Sequence, residues 1–244
     1  MFHAREGAHM RAVVLAGGKG TRLLPFTKIF PKPLVPLGER PILDTIIRQL
    51  KHFGFTRLTL AVGYMAEMIQ TYVRHGEQYG IEIDYCFEEE PLGTVGPLAQ
   101  IGDLDQPFLV MNGDIITNLD YADLVAFHKK HGAIATIGTF QKHFKIDLGI
   151  IQNDDRHTIV DYIEKPVYTF NVSMGIYAFD IEVLNYIEPK KYFDFPDLVK
   201  RLLAHGQPVV SYPFEGYWLD IGNHRDYERA LEEYESIKGE LHLE

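Results

Sequence analysis

The chain has 244 residues, of which 46% are hydrophobic and 24% charged, an ordinary composition for a globular protein. Its formal net charge of −10 argues against a protein that coats nucleic acid or binds an anionic membrane surface. The single cysteine, Cys86, excludes an intramolecular disulfide and a zinc site made of paired cysteines. The sequence has no signal-peptide pattern and no run of ~18 apolar residues, so we expect a cytoplasmic protein.

The first part of the chain alternates short apolar runs with amphipathic stretches. Residues 1–9 precede the first such run and resemble a vector-derived leader, which we expect to be disordered. Strands are predicted at 11–16, 57–62, 82–87 and 108–112, and helices at 42–53 and 66–75. This alternation predicts an α/β fold with a Rossmann-like, mainly parallel sheet and helices on both faces.

The second part is less regular. Its predicted helices are 120–131, one segment around Leu184, one around Leu198, and 225–237 with Asn223 as N-cap. Its predicted strands are 133–140, 148–152, 158–163, 172–179 and 208–214. No linker or internal repeat separates the parts, so we expect one domain over 10–244 whose later strands join the same sheet.

A glycine-rich loop follows the first predicted strand. It comprises Leu15, Ala16, Gly17, Gly18, Lys19, Gly20, Thr21 and Arg22. Such a loop lies at the carboxyl end of the sheet, where backbone N–H groups and the two cations suit a phosphate. It matches neither the P-loop nor the dinucleotide-binding motif, and a glycine-rich surface turn is the alternative interpretation.

Three further charged residues stand in distinctive surroundings. Lys32 lies between two prolines, which fix the backbone around its ammonium group. Asp114 follows the apolar run FLVMN, and Asp220 lies in WLDIG. One or two carboxylates together with phosphate oxygens are usual ligands of Mg²⁺. A turn-forming role for Asp114 and a helix-terminus role for Asp220 are the alternatives.

Five segments in order resemble the sugar-1-phosphate nucleotidyltransferases, with motifs closest to the mannose-1-phosphate guanylyltransferases. They are LAGGKGTRLLPFTKIFPKPLVPL (15–37), EEEPLGTVGPL (88–98), NGD (112–114), EKP (164–166) and WLDIG (218–222). The resemblance implies a nucleotide-binding half over 10–118 and a sugar-phosphate-binding half with insertions over 119–230. It also implies a magnesium-dependent reaction of a nucleoside triphosphate with a sugar 1-phosphate, and a homo-oligomer as one option.

The resemblance assigns roles to individual residues. Arg22, Lys32 and Asp114 would be catalytic, and Asp114 and Asp220 would hold Mg²⁺. Nucleotide-binding positions would be Leu15, Ala16, Gly17, Gly18, Lys19, Gly20, Thr21, Glu88, Gly93, Thr94 and Gly113. Sugar-phosphate-binding positions would be Gly149, Glu164, Lys165, Ser173 and Gly175, although an exposed ion pair is the simpler interpretation of the Glu–Lys pair.

Two positions differ from the pattern of related enzymes: Glu88 indicates the base, whereas Ser173, where the family often has Asn, leaves the sugar open. Glu88 stands where uridylyl- and thymidylyltransferases of this family typically place Gln, and a carboxylate can accept both donors on one edge of guanine. GTP is therefore the favoured nucleotide, and the resemblance of residues 88–98 to the mannose-1-phosphate guanylyltransferases implies mannose 1-phosphate as the favoured sugar. Transfer of a uridylyl, thymidylyl or cytidylyl group to a glucose-like 1-phosphate is the alternative. The carboxylate facing the base could instead be Glu89 or Glu90. A glycosyltransferase and a silent nucleotide-sugar sensor are the other classes considered.

Histidines and aromatic residues give weaker indications. His128 and His131 lie three apart on a predicted helix without a third ligand, so we expect both on the surface. Tyr64, Phe87 and the aromatic residues of 192–195 are expected in the core.

Overall fold

The computed structural model describes residues 10–243, where strands and helices alternate along most of the chain. The strands are β1 (Met10–Leu15), β2 (Pro36–Leu37), β3 (Arg40–Pro41), β4 (Phe55–Val62), β5 (Glu82–Phe87), β6 (Phe108–Asn112), β7 (Ile115–Thr117), β8 (Ala135–Lys145), β9 (Ile150–Asn153), β10 (Ile159–Ile163), β11 (Val167–Phe179), β12 (Val209–Phe214) and β13 (Trp218–Asp220). The α-helices are α1 (Ile42–His52), α2 (Ala66–Val73), α3 (Tyr121–His131), α4 (Phe195–Ala204) and α5 (His224–Ile237).

Seven strands form one mixed sheet with the order β12-β8-β11-β6-β1-β4-β5. Neighbours pair in parallel except at β11, which runs antiparallel to both β6 and β8. The predicted mainly parallel sheet is confirmed. Because β1, β4, β5 and β6 run in the same direction, the loops that follow them meet at one edge of the sheet.

Successive residues of β1 show that both faces of the sheet are covered. Ala12 and Val14 pack with α1, α2, α3 and α5, whereas Val13 packs on the opposite face with α4 and short 3₁₀ turns. All three residues are fully buried. Helices on both faces were predicted, and the structure places four of them on one face and one on the other.

Two strands are longer than the sequence pattern predicts. β8 continues to Lys145 and β11 begins at Val167, and the two pair from Lys145↔Val167 to Thr139↔Ser173. Their outer halves are largely exposed, so the apolar periodicity that marks a buried strand is weak there. They form a two-stranded ribbon that extends beyond the sheet and carries the β9–β10 hairpin at its end.

The helices match the predictions with two differences. α2 ends at Val73 because Arg74 has a left-handed φ of 51°, and the segment around Leu184 forms a 3₁₀ helix, Ile181–Tyr186. Asn223 caps α5 as predicted, its side chain accepting a hydrogen bond from the Asp226 N–H at 3.2 Å. The predicted leader at residues 1–9 lies outside the described residues. No helix within residues 10–243 is long and apolar enough to span a membrane.

The predicted surface position of His128 is wrong, whereas His131 is exposed. His128 is 2% exposed because it faces β8, where its Nδ1 lies 2.8 Å from Thr136 Oγ1. The core prediction is also wrong for Phe87 and Tyr192, which are 51% and 64% exposed. Phe87 stacks on Tyr85 instead, with the ring centroids 5.9 Å apart.

Two of the aromatic residues expected in the core are only half-buried, and one lies fully inside. Tyr64 and Phe193 are half-buried, and the Tyr64 hydroxyl donates to the Thr27 carbonyl at 3.3 Å. Phe195 is buried against Tyr177, with ring centroids 3.7 Å apart.

Candidate active site

The glycine-rich loop begins where β1 ends and is fixed there by main-chain hydrogen bonds. The Ala16 N–H donates to the Ala61 carbonyl at 2.7 Å, and the Gly17 carbonyl accepts from the Tyr64 N–H at 3.2 Å. Leu15 accepts from the Gly113 N–H at 2.9 Å, which joins this loop to the one after β6. Gly18 and Lys19 are exposed, so a ligand could reach this part of the loop.

Gly20 lets the loop fold back on itself. Its φ of 60° is left-handed, and a Cβ there would lie 2.9 Å from Thr27 Cγ2 and 3.0 Å from Lys32 Cβ. The Thr27 hydroxyl donates to the Gly20 carbonyl at 2.9 Å. Thr21 and Arg22 follow in a short 3₁₀ turn, Thr21–Leu23. The loop therefore carries Arg22 outward and brings Lys32 back against Gly20.

Lys32 forms an ion pair with Asp114, the Nζ group donating to Asp114 Oδ2. The two side chains are only 12% and 20% exposed. A Cβ on Gly113 would lie 2.9 Å from the Leu15 carbonyl, so the close approach of the two loops at this point requires glycine. The resulting ion pair is screened less by solvent than a surface pair would be.

Asp220 reaches the same place from β13. Asp220 pairs with Ile115 of β7, and the Ile221 N–H donates to the Asp114 carbonyl at 3.0 Å. Asp220 is an exposed residue, but desolvation of its carboxyl within the site raises the pKa of Asp220. The charge of Asp114 raises this pKa further, while the cations Lys32 and Arg22 lower it. Two carboxylates and two cations therefore share one electrostatic environment.

The carboxylate pair fits a magnesium ion. Asp114 Oδ1 is buried and accepts no hydrogen bond from residues 10–243, so it offers a free oxygen ligand. Within these residues no cluster of three or more His, Cys, Asp or Glu side chains could hold a metal. If Asp114 and Asp220 hold the ion, substrate phosphates or water would supply the other ligands, as is usual for Mg²⁺.

Glu88 lies beside the glycine-rich loop, at the end of β5. Its Oε2 accepts a hydrogen bond from the Leu92 N–H at 3.0 Å, and its Oε1 lies 2.4 Å from the position of a Cβ on Gly17. Burial raises the pKa of the Glu88 carboxyl, and the bond from Leu92 lowers it. Glu89 and Glu90 are exposed, so Glu88 is the half-buried member of the acidic run.

Gly93 and Thr94 are held by the segment that precedes α4. Gly93 has a φ of 78°, and a Cβ there would lie 2.6 Å from the Phe193 carbonyl. The Thr94 N–H donates to Asp194 Oδ1 at 3.0 Å, and the Thr94 hydroxyl accepts from the Phe195 N–H at 2.7 Å. The Thr94 side chain therefore has protein partners already, and any ligand contact would add to them.

Ser173 and Gly175 lie where β11 passes the end of β6. Gly175 has a φ of 73°, and a Cβ there would lie 2.7 Å from Asn112 Nδ2. The Ser173 hydroxyl accepts from the Gly175 N–H and donates to the Tyr177 hydroxyl, both at 3.3 Å. Burial, together with the charge of Asp220, raises the pKa of Tyr177 to about 12. These two predicted sugar-side residues thus border the Asp114–Asp220 region.

The other predicted sugar-side residues lie at the base of the β9–β10 hairpin, Gly149 just before β9 and Glu164 and Lys165 just after β10. Glu164 accepts from the Tyr162 hydroxyl at 3.0 Å and pairs with Lys165 at 3.7 Å. Gly149 packs on the same tyrosine, since a Cβ there would lie 2.1 Å from its hydroxyl. Within residues 10–243 the polar contacts of Glu164 and Lys165 stay inside this hairpin, and both side chains are more than half exposed. A role at the site stays a prediction.

Sequence reasoning missed the residues that hold the site from behind. His224 donates from Nε2 to the Leu24 carbonyl, and the Tyr227 hydroxyl donates to the Pro36 carbonyl at 2.7 Å. Asp194, which binds the Thr94 N–H, and Asn112, which packs against Gly175, are two further residues that the sequence patterns did not indicate. The only sequence signal for His224 was its position four residues after Asp220.

Comparison with known proteins identifies the family of this architecture. Residues 11–237 match the family model described as nucleotidyl transferase. The chain is 37% identical over 231 residues to a mannose-1-phosphate guanyltransferase of Candida albicans, covering 89% of the chain and 62% of that protein. It is 33% identical over 242 residues to a UTP–glucose-1-phosphate uridylyltransferase of Synechocystis sp., covering 91% of the chain and 62% of that protein.

Solved structures share the fold. HddC from Yersinia pseudotuberculosis is 25% identical with a TM-score of 0.72, covering 92% of this chain and 99% of that one. A structure of the same protein complexed with GMP-PN has a TM-score of 0.71. The chain spans about three-fifths of the length of the two curated relatives. Because the family model matches nearly the whole chain, this protein belongs to the nucleotidyl transferase family.

Proposed function

We propose that the chain transfers a nucleotidyl group from a nucleoside triphosphate to a sugar 1-phosphate, with GTP and mannose 1-phosphate as the favoured pair. The observation that carries this proposal is the meeting of Arg22 and Lys32 with Asp114 and Asp220 at the carboxyl edge of the sheet. A mannose-1-phosphate guanyltransferase is among the relatives at 37% identity.

The reaction is a displacement at phosphorus. An oxygen of the sugar 1-phosphate attacks the α-phosphorus of the triphosphate, and the bond from the α-phosphorus to the bridging oxygen breaks. Pyrophosphate leaves with the bonding electrons, and a nucleoside-diphosphate sugar forms. Such a transfer needs alignment and charge neutralisation more than covalent help from the protein.

The side chains match these needs. Arg22 is planar and permanently charged, which suits a two-pronged contact with the triphosphate. Lys32 is held beside Asp114 and can place its ammonium group on the reacting phosphates. Asp114 and Asp220 would hold Mg²⁺, which neutralises phosphate charge when bound. We also expect a cytoplasmic enzyme, and a homo-oligomer remains a prediction.

Two features of Glu88 support a second pair of substrates with a different base and sugar. One of its oxygens already accepts from the Leu92 N–H, and burial favours its neutral form. Both features weaken its capacity to accept two donors from guanine. Uridylyl, thymidylyl or cytidylyl transfer to a glucose-like 1-phosphate is therefore the second candidate, and a relative at 33% identity is a UTP–glucose-1-phosphate uridylyltransferase.

The test is release of pyrophosphate with magnesium and each pairing of GTP, UTP, dTTP or CTP with mannose or glucose 1-phosphate. Highest turnover with GTP and mannose 1-phosphate supports the first candidate. A preference for a pyrimidine nucleotide with glucose 1-phosphate selects the second. Binding of a nucleotide sugar without turnover of any pair indicates a silent sensor, and sugar transfer to an acceptor without pyrophosphate indicates a glycosyltransferase.

A further inference from the structure

The segment that carries the two cations is held by helix α5 as well as by its own turns. Near its start, the Leu24 carbonyl accepts a hydrogen bond from His224 Nε2. Near its end, the Pro36 carbonyl accepts one from the Tyr227 hydroxyl at 2.7 Å. The donors are three residues apart on α5, so they lie on the same side of this helix. Helix α5 thus binds the chain at Leu24, two residues after Arg22, and at Pro36, four residues after Lys32.

Aromatic contacts close the space between these two hydrogen bonds. The ring centroid of Phe26 lies 5.8 Å from that of His224 and 5.6 Å from that of Tyr227. Tyr227 is 8% exposed. The His224 ring is therefore kept in place on one side by Phe26 and at its Nε2 by the Leu24 carbonyl.

The same stretch of chain supplies a carboxylate of the site. Asp220 lies four residues before His224, and Gly222 lies between them. A Cβ on Gly222 would be 3.5 Å from Arg22 Nη1, so Arg22 lies directly beside this stretch. The stretch from Asp220 to Tyr227 therefore connects one carboxylate to the contacts made with Arg22 and with the segment that contains Lys32.

From this geometry we infer that His224 and Tyr227 are positioning residues, which hold the Arg22–Lys32 segment in register with Asp114 and Asp220 by donating to its main-chain carbonyls. The inference rests on the proposed function. The contacts fall on the stretch that follows Arg22 and contains Lys32, the two cations attributed to the phosphates. Ser173 and Gly175 on β11 are held by other partners. Loss of either donor should therefore raise KM for the nucleoside triphosphate and leave KM for the sugar 1-phosphate unchanged.

The experiment compares steady-state kinetics of His224→Ala, His224→Gln and Tyr227→Phe with those of the unchanged chain, using its best substrate pair. We expect KM for the triphosphate to rise by about tenfold in His224→Ala and Tyr227→Phe, as for loss of one net hydrogen bond. KM for the sugar 1-phosphate should stay within about twofold. His224→Gln should recover much of the effect, because its amide nitrogen lies near the position of Nε2 and can donate.

Matched controls separate positioning from folding. His205→Ala removes a histidine whose Nδ1 donates to the Arg201 carbonyl at the end of its own helix, away from the loops of the site, and it should leave both KM values unchanged. A destabilised protein would lose kcat through its active fraction and keep both KM values. Tyr227→Phe keeps the ring against Phe26, so it tests the inference even where His224→Ala fails to fold.

Some results would overturn the inference. It is wrong if KM for the triphosphate is unchanged in both His224→Ala and Tyr227→Phe, or if glutamine at position 224 is no better than alanine. If the unchanged chain releases no pyrophosphate with any pair, the proposed function fails first. The same variants are then titrated calorimetrically with GTP and magnesium, where equal affinity in all of them contradicts the inference and a tenfold loss supports it.

Discussion

Lys32 and Asp114 lie 82 residues apart in the sequence and form an ion pair at the carboxyl edge of the sheet. Asp114 Oδ2 is used in this pair, while Oδ1 is buried without a hydrogen-bond partner among residues 10–243. The carboxylate therefore has one oxygen that orients the lysine and another available to a cation. The charge of Asp114 also raises the pKa of Asp220, so the two carboxylates interact electrostatically.

Substituting Asp114 by Asn should reduce turnover by about 10²-fold or more, because it removes charge where the leaving pyrophosphate develops its own. The fold should survive. The variant leaves Lys32 without its counter-ion, and it also relieves the repulsion that raises the pKa of Asp220. Pyrophosphate release at saturating magnesium and thermal unfolding by circular dichroism measure the two effects.

Asp197→Asn serves as the control for this substitution. Asp197 lies on α4, its side chain is 59% exposed, and it forms an ion pair with Lys200 at 3.8 Å. Its loss should change neither turnover nor unfolding temperature appreciably, since an exposed pair contributes about 0–1 kcal/mol. Near-normal turnover of Asp114→Asn would show that Asp114 is not a required ligand of the metal ion.

Arg22→Lys should lower kcat/KM on the order of 10²-fold. An ammonium group cannot reproduce the planar two-pronged contact of a guanidinium group, so the triphosphate would be aligned less well with the attacking oxygen. The matched control is Arg229→Lys on α5, where the arginine pairs with Glu233 at 2.8 Å on an exposed surface. An active Arg22→Lys enzyme would mean that the loop acts mainly through its backbone N–H groups.

Much of this arrangement could be predicted from sequence because it depends on local patterns. The apolar run FLVMN places Asp114 at a strand end, and parallel strands bring such ends to one edge of the sheet. The prolines on either side of Lys32 likewise indicated that the backbone holds this residue in one position. These patterns did not predict that Asp114 is the ion-pair partner of Lys32, because that contact depends on how two loops pack against each other.

Long-range contacts explain the errors. The outer halves of β8 and β11 pair with each other while exposed, so hydrophobic periodicity gave no sign of them. His128 lies on a helix of low amphipathicity, and only the position of Thr136 on β8 shows that it is buried. His224 binds a carbonyl 200 residues away, which no local motif predicts.

Glu88→Gln tests how the base is chosen. If the carboxylate reads guanine, the ratio of GTP to UTP use should fall by about tenfold or more, since a hydrogen bond to a charged group contributes about 1.5–3 kcal/mol. The glutamine oxygen can still accept from the Leu92 N–H, so the loop should keep its shape. If kcat/KM values for GTP and UTP keep the same ratio in Glu88→Gln as in the unchanged chain, Glu88 does not select the base.

The same carboxyl gives a pH dependence. Burial raises the pKa of Glu88, so its charged form is lost at a higher pH than for an ordinary glutamate. As pH falls through this raised value, the protonated group accepts less well, and the preference for GTP should decline. Glu88→Gln should show no such decline, and an identical pH profile for both proteins would contradict the assignment.

Gly17→Ala should disturb Glu88 without unfolding the protein. The new Cβ would lie 2.4 Å from Glu88 Oε1 and 3.4 Å from the Gly63 nitrogen. The closer atom ends a side chain that can rotate, so the free energy of unfolding should change little while the carboxylate moves away from the loop. Gly102→Ala, where a Cβ meets nothing within 4 Å, is the control. A Gly17→Ala enzyme with the original nucleotide preference would show that the placement of Glu88 is unimportant.

His128 should make stability depend on pH. Burial lowers the pKa of this histidine below its ordinary value of 6.5, so the folded protein keeps it neutral while the unfolded chain takes up a proton. The contribution of neutral His128 to the free energy of unfolding is therefore fully present above about pH 6.5. It is lost as the pH falls towards the pKa that His128 has in the folded protein, at up to about 1.4 kcal/mol per pH unit.

Urea unfolding at pH 7.5 and 5.5 should show a larger loss of stability for the unchanged chain than for His128→Gln. His131→Gln, three residues along the same helix and exposed, should behave like the unchanged chain. Equal losses in all three proteins would place the acid sensitivity elsewhere.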